Sequence, residues 1–102
     1  MHALDALGNP VRRDILLALR ERPLAVNEIA AKFRVSRPAI SRHLRLLEDA
    51  RLVATRQEGT RSIYSVRVQG LRAVRDFIDG FWDVALDRLA AMAEDDDAGE
   101  GA

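Results

Sequence analysis

Between residues 36 and 50 the chain reads S-R-P-A-I-S-R-H-L-R-L-L-E-D-A, with three arginines, Arg37, Arg42 and Arg45, in close succession. A guanidinium is planar, always charged and carries its donors in a fixed fork, so it matches the acceptor pair of a guanine edge or the oxygens of a phosphate. Ser41 adds a small hydroxyl that can approach either without a clash, and Ser36 and Pro38 open the stretch. Only Glu48 and Asp49, at its far end, oppose this charge. The chemistry on offer is grip on a polyanion and hydrogen bonding to its bases. Catalysis is not expected. The chain contains no recognisable nucleophile with its base, no paired acids set for a cleft and no glycine loop that would cradle a phosphate.

These side chains need a rigid support, and the same stretch supplies it. Ser36 is a good N-cap and Pro38 suits a first helical turn, so a helix is expected from there to Ala50. Ile40, Leu44 and Leu47 recur at spacings of four and three, which puts them on one face that must be buried. Pro38, Ser41, Arg42 and Arg45 then point outward, with Arg37 beside them. An amphipathic helix with a merely solvated basic face would look similar. The preceding segment favours the sharper reading. N-E-I-A-A-K-F-R-V (27–35) is a short helical pattern closed by a three-residue turn, in which Ile29, Ala30 and Phe33 share a face and Val35 can plug the turn. A short helix, a tight turn and a longer basic helix make a helix-turn-helix.

After that unit the period changes. Residues 52–57 and 61–68 are rich in Val, Ile, Thr and Tyr, and E-G-T lies between them, so a β-hairpin is expected with Arg56 and Arg61 flanking its tip. A hairpin that follows a recognition helix is a wing, and arginines on it can enter a minor groove or touch phosphate. The plainer alternative is a hairpin that only closes the core, with Ile63 and Tyr64 inward.

Towards the amino terminus, residues 2–7 form a short helical pattern with Leu4 and Leu7 inward, ended by Gly8. Asn9 and Pro10 open a second helix whose buried stripe is Val11, Ile15, Ala18 and Leu19 and which Pro23 stops. Arg12, Arg13, Arg20 and Arg22 are expected on or near its exposed side. From Gly70 to about Glu94 a helical period runs for about 24 residues, or ~36 Å. Leu71, Val74, Ile78, Phe81, Ala85 and Met92 follow helical spacing, and Phe77, Trp82, Leu86 and Leu89 widen the apolar face. A small domain cannot easily cover such a helix alone, so a homodimer is expected, with this helix and the first one packed on their symmetry mates. The candidate dimer residues are Leu4, Leu7, Val74, Ile78, Phe81, Trp82, Ala85 and Leu89. A monomer that folds the helix back on itself is the competing arrangement.

The net charge of zero conceals a division. Residues 1–75 hold fifteen Lys plus Arg against seven Asp plus Glu, whereas residues 76–102 hold one against nine. A basic body attracts a polyanion, and an acidic end avoids it or faces solvent. Residues 1–94 are expected to form one mainly α domain, and 95–102, D-D-D-A-G-E-G-A, a disordered acidic tail. No apolar run approaches bilayer-spanning length and the amino terminus lacks a signal-peptide pattern, so a cytoplasmic location and no membrane partner are expected.

The order of elements, with S-R-P-A-I-S-R-H-L at its centre, resembles the ArsR family of winged-helix transcriptional repressors. L-G-N-P-V-R-R-D-I-L-L-A-L looks like that family's opening helices, and E-D-A-R-L-V with G-T-R-S-I-Y looks like its wing. The ending F-W-D-V-A-L-D-R-L looks like the cysteine-free branch similar to the sporulation-delay repressor. The resemblance implies a winged helix-turn-helix, mainly α with a β-hairpin wing. It implies a homodimer joined through the first and last helices, with double-stranded DNA carrying an inverted-repeat operator as partner. It places Arg37, Pro38, Ser41 and Arg42 at the DNA. A winged helix used as a protein-interaction module is an alternative of another class.

A metal- or ligand-responsive member of the same family is the other alternative. Thiolate sites are excluded because the chain has no cysteine, and its only histidines are His2 and His43. Tight sites for zinc, nickel or copper need several imidazole or thiolate ligands, so no metal or other cofactor is expected and DNA binding should not depend on one. Asp76, Asp79, Asp83 and Asp87 form a carboxylate stripe that reads as a solvated face. The identity of any inducer is not legible.

Overall fold

The protein is described here from a computed structural model. It covers the side chains of residues 2–94 and the backbone of residues 2–100; of the acidic tail expected over 95–102, the backbone of 95–100 continues the last helix, and 101–102 lie outside the described residues. In chain order the elements are α1 (Ala3–Ala6), α2 (Pro10–Leu19), β1 (Leu24–Ala25), α3 (Val26–Ala30), α4 (Arg37–Asp49), β2 (Val53–Glu58), β3 (Arg61–Val66) and α5 (Val68–Glu100). They fall into two compact units, residues 1–72 and 73–102.

The first unit packs short helices against a three-stranded antiparallel sheet of order β1-β3-β2. Its core is apolar and fully closed to solvent at Ile15, Leu24, Ile29, Ile40, Leu44, Leu47, Leu52 and Val53. Each such side chain stabilises the fold by ~1.5–3 kcal/mol relative to exposure. The fixed burial of Ile40, Leu44 and Leu47 is what holds the rotation of α4, and with it the direction of its outer face.

Local chemistry sets the helix ends. Asn9 Oδ1 accepts from the Val11 and Arg12 amides at 2.9 and 3.2 Å, with Pro10 in the first turn of α2. Ser36 Oγ accepts from the Ala39 amide at 3.2 Å and starts α4. The other end of α4 closes with Arg51 at a φ of +62°, a left-handed position that glycine usually occupies. The Arg51 amide bonds Glu48 O and the Leu52 amide bonds Leu47 O, both at 2.9 Å, and the buried Leu47 and Leu52 complete this stop. The hairpin turns through Gly59 and Thr60, where Gly59 takes the positive φ of 62° that a primed two-residue turn requires.

Several expectations need correction. In α1 the buried residue is Ala6, while Leu4 is 40% exposed and Leu7 half-buried, because four residues make barely one turn and only one position can face inward. In α2 the buried set is Arg12, Ile15, Leu16 and Leu19, and Val11 and Ala18 are half-buried. The helix before the turn ends at Ala30, and Val35 is 36% exposed and so does not plug the turn. A two-residue strand, β1, had no local signal; Leu24 and Ala25 pair with Tyr64 and Ile63 of β3. The last helix starts at Val68, ahead of Gly70.

In the second unit α5 leaves its apolar side chains open within the single chain. Phe81 and Trp82 are 60% and 51% exposed, with their rings edge to face at 5.7 Å. Ile78 and Leu89 are also exposed, and Val74 and Ala85 are half-buried.

Candidate nucleic-acid interface

The inner face of α4 is buried, and on the remaining surface Arg37, Pro38, Arg42 and Arg45 are exposed and Ser41 is half-buried. Ser36 is exposed too, but its hydroxyl is engaged as the helix cap. None of Arg37, Arg42 and Arg45 has an ion-pair partner among the described residues. Glu48, the nearest acid on the same helix, accepts a hydrogen bond from the Thr55 hydroxyl of β2. The helix therefore presents three guanidiniums whose donors are not committed within the fold.

The two wing arginines are held differently. Arg56 pairs with Glu58 at 3.0 Å on its own strand. Arg61 crosses to the helix-turn-helix and pairs with Glu28 of α3, also at 3.0 Å. Glu28 is a junction. Its Oε1 accepts from the Ala25 amide at 2.9 Å, capping α3, and its Oε2 faces both terminal nitrogens of Arg22 at 3.4 Å. The Ala25 amide bond is the main cause that holds the Glu28 carboxyl below its ordinary pKa; desolvation, the next in size, opposes it, and Arg22 and then Arg61 add to the lowering. Asn27, Arg37, Thr60, Arg61 and Ser62 border one shallow polar cleft, so the structure brings the start of α4 and the wing tip together. Asn27, Thr60 and Ser62 were not singled out from the sequence; only the folded hairpin shows that they adjoin Arg37.

Behind the helix lies an arginine that sequence reasoning misassigned. Arg12 is only 9% exposed, and its Nε donates to Ala6 O at 2.7 Å and its Nη2 to Asp5 O at 3.4 Å. Arg13, which is exposed as expected, donates to Leu7 O at 2.8 Å. The paired arginines thus bond the Ala6 and Leu7 carbonyls at the end of α1, and Arg12 adds a second, longer bond to Asp5 O, which already accepts from the Gly8 amide. Arg12 Nη1 also donates to Nδ1 of His43 on α4 at 3.5 Å. Burial, then the charges of Arg12 and Arg42, keep the His43 pKa below its ordinary value. In the window below about pH 6.5 the unfolded chain binds more protons at this position than the folded one, so stability is present above that pH and is lost as pH falls. The melting temperature is expected to drop between about pH 7 and pH 5, and His43→Gln should flatten that part of the profile.

Among the described residues no three His, Asp or Glu side chains converge as a metal site, and no helix is long and apolar enough to cross a membrane. A separate apolar groove of about 420 Å³ is lined by Leu16, Leu17, Val66, Val68 and Leu71 together with Arg20.

Known proteins share this arrangement. Residues 9–55, from the cap of α2 through α4 into β2, match the model of the bacterial regulatory proteins of the arsR family. The HTH-type transcriptional regulator Rv2034 of Mycobacterium tuberculosis is 45% identical over 92 residues, which is 90% of this chain and 86% of that one. The chain belongs to the ArsR family. This ArsR-family regulator is also similar to the transcriptional repressor SdpR of Bacillus subtilis, at 33% identity over 70% of its own length and 79% of that repressor's. Among solved structures, one described as a possible transcriptional regulator for arsenical resistance superposes with a TM-score of 0.78 at 41% identity, covering 89% of this chain and 95% of the other. The fold is the winged helix-turn-helix expected from the residues, and the function is transcription regulation through DNA.

Proposed function

We propose that this regulator is a homodimeric, sequence-specific repressor whose two α4 helices enter successive major grooves of an inverted-repeat operator. Arg37, Ser41, Arg42 and Arg45 face the bases and the flanking phosphates, Ser36 and Pro38 lie at the backbone end of the helix, and Arg56 and Arg61 bring the wing to the adjacent backbone or minor groove. The observation that carries this reading is the outer face of α4, where three exposed guanidiniums stand without an acidic partner among the described residues, on a helix fixed by a fully buried inner face. Uncommitted cationic donors on a rigid support suit base and phosphate recognition, because little ordering is left to be done on binding.

Dimerisation rests on the apolar side chains that α5 leaves open, Ile78, Phe81, Trp82 and Leu89 with Val74 and Ala85, and on Leu4 and Leu7 of α1. The domain responsible is residues 1–94, acting in the cytoplasm on DNA and without catalysis.

Substitution Arg42→Ala tests the base-reading role. A side chain that reads a base carries discrimination of ~1–3 kcal/mol, whereas a phosphate contact weakens all sequences alike. Footprinting of the protein's own upstream region supplies the preferred site, and binding is then compared with a random duplex. Arg42→Ala is expected to lose about tenfold or more on the preferred site and much less on the random one. Equal losses on both would reassign Arg42 to the backbone.

A further inference from the structure

We propose that Glu28 is a positioning residue for DNA binding, holding the wing arginine Arg61 against α3 until a DNA phosphate takes the place of the carboxylate. The inference rests on the DNA-binding reading above and adds a residue of opposite charge to it. Among the arginines assigned to the DNA face, Arg37, Arg42 and Arg45 have no acidic partner among the described residues, and Arg56 is paired within its own strand. Arg61 alone of this set is tied to another element, at 3.0 Å from Glu28 and 33 positions away in sequence.

The carboxylate cannot follow Arg61 outward, because it is fixed on both oxygens. Oε1 also accepts the Ala25 amide that starts α3, and Oε2 faces Arg22. The arginine is the partner free to leave. Both groups of the pair are well exposed, at 58% and 37% for the side chains, so the bond between them is weak in water and a phosphate arriving in the cleft beside Arg37 can replace it. When Arg61 swings to the phosphate, Glu28 keeps Arg22 and Ala25 and is not left as an uncompensated charge. In the free protein the pair fixes the side chain of the wing tip to the helix-turn-helix, so both DNA-facing parts are presented together. Its cost is that the Arg61 charge is partly masked. Binding to any duplex then releases less than one full ion on account of Arg61.

Glu28→Gln isolates this effect, since the amide oxygen still accepts the Ala25 amide and preserves the start of α3. The full chain would be titrated with a random-sequence duplex over a series of salt concentrations, for wild type, Glu28→Gln, Arg61→Ala and the double variant, with thermal melts to verify folding. Glu28→Gln is expected to bind about three- to fivefold tighter with a steeper salt slope. In the Arg61→Ala background the same change is expected to alter affinity less than about twofold. An equal gain in both backgrounds would show Glu28 acting only as a diffuse repulsive charge and overturn the proposal, as would unchanged or weaker binding by folded Glu28→Gln. Wild-type protein that binds no duplex at any salt concentration overturns the DNA-binding reading itself, a result distinct from any pattern among the variants.

Discussion

Gly70→Ala is expected to cost the fold about 3 kcal/mol, although it adds a single methyl group to a helix, where alanine is otherwise favoured over glycine. A Cβ at this position would lie 2.0 Å from the carbonyl oxygen of Arg51 and 3.0 Å from its carbon. Those are backbone atoms, so no side-chain rotation relieves the overlap. The Arg51 carbonyl is itself held in place. It belongs to the left-handed residue that ends α4, between the amide bonds to Glu48 O and Leu47 O, and Leu52 beside it is fully buried. Either the first turn of α5 moves away or the end of α4 is rebuilt. For a domain of this size a loss of that order corresponds to a fall of more than about 10 °C in melting temperature. Urea denaturation of the two proteins measures it directly. A loss below about 0.5 kcal/mol would mean that the close approach relaxes without consequence.

Phe81→Glu should have the largest effect on DNA binding while leaving the first unit folded. A carboxylate at the centre of the exposed apolar run of α5, next to Trp82, would have to be desolvated in any helix-to-helix interface, at a cost of several kcal/mol. Sedimentation is expected to show wild-type dimers and variant monomers at the same micromolar concentration. A monomer engages one half-site and loses the gain in effective concentration from the second, so operator affinity is expected to fall by about 100-fold or more. Circular dichroism showing retained helix would separate lost assembly from lost folding. A wild-type monomer under these conditions would remove the basis for the homodimer.

How far the sequence could be read follows from which interactions are local. The recognition helix was expected from Ser36 to Ala50 and runs from Arg37 to Asp49 between those two caps, because its N-cap, first-turn proline and apolar spacing all lie within the segment. The hairpin was legible for the same reason, its turn glycine lying between two β-rich runs. Misplaced features depend on distant partners. Arg12 was expected outside because arginine usually is; its burial follows from the carbonyls of Asp5 and Ala6, whose position only tertiary structure defines. Strand β1 consists of two residues whose partners lie about forty positions on. Glu28 was not singled out, and nothing near it in sequence points to Arg61.

The order of the strands has a mechanical meaning. β3 is the middle strand, yet β1 reaches only as far as Ile63 and Tyr64, so Arg61 and Ser62 are flanked by β2 alone. The hairpin is therefore a cantilever, clamped on both sides at its root and supported along one edge towards its tip. Load applied at the tip by a DNA backbone is borne as bending beyond Ile63, while the root, with Ile63 and Tyr64 buried, transmits it to the core without a change of register. On the proposed mode of binding, one scaffold would in this way follow small differences in groove width from site to site without disturbing the helix proposed to discriminate among them.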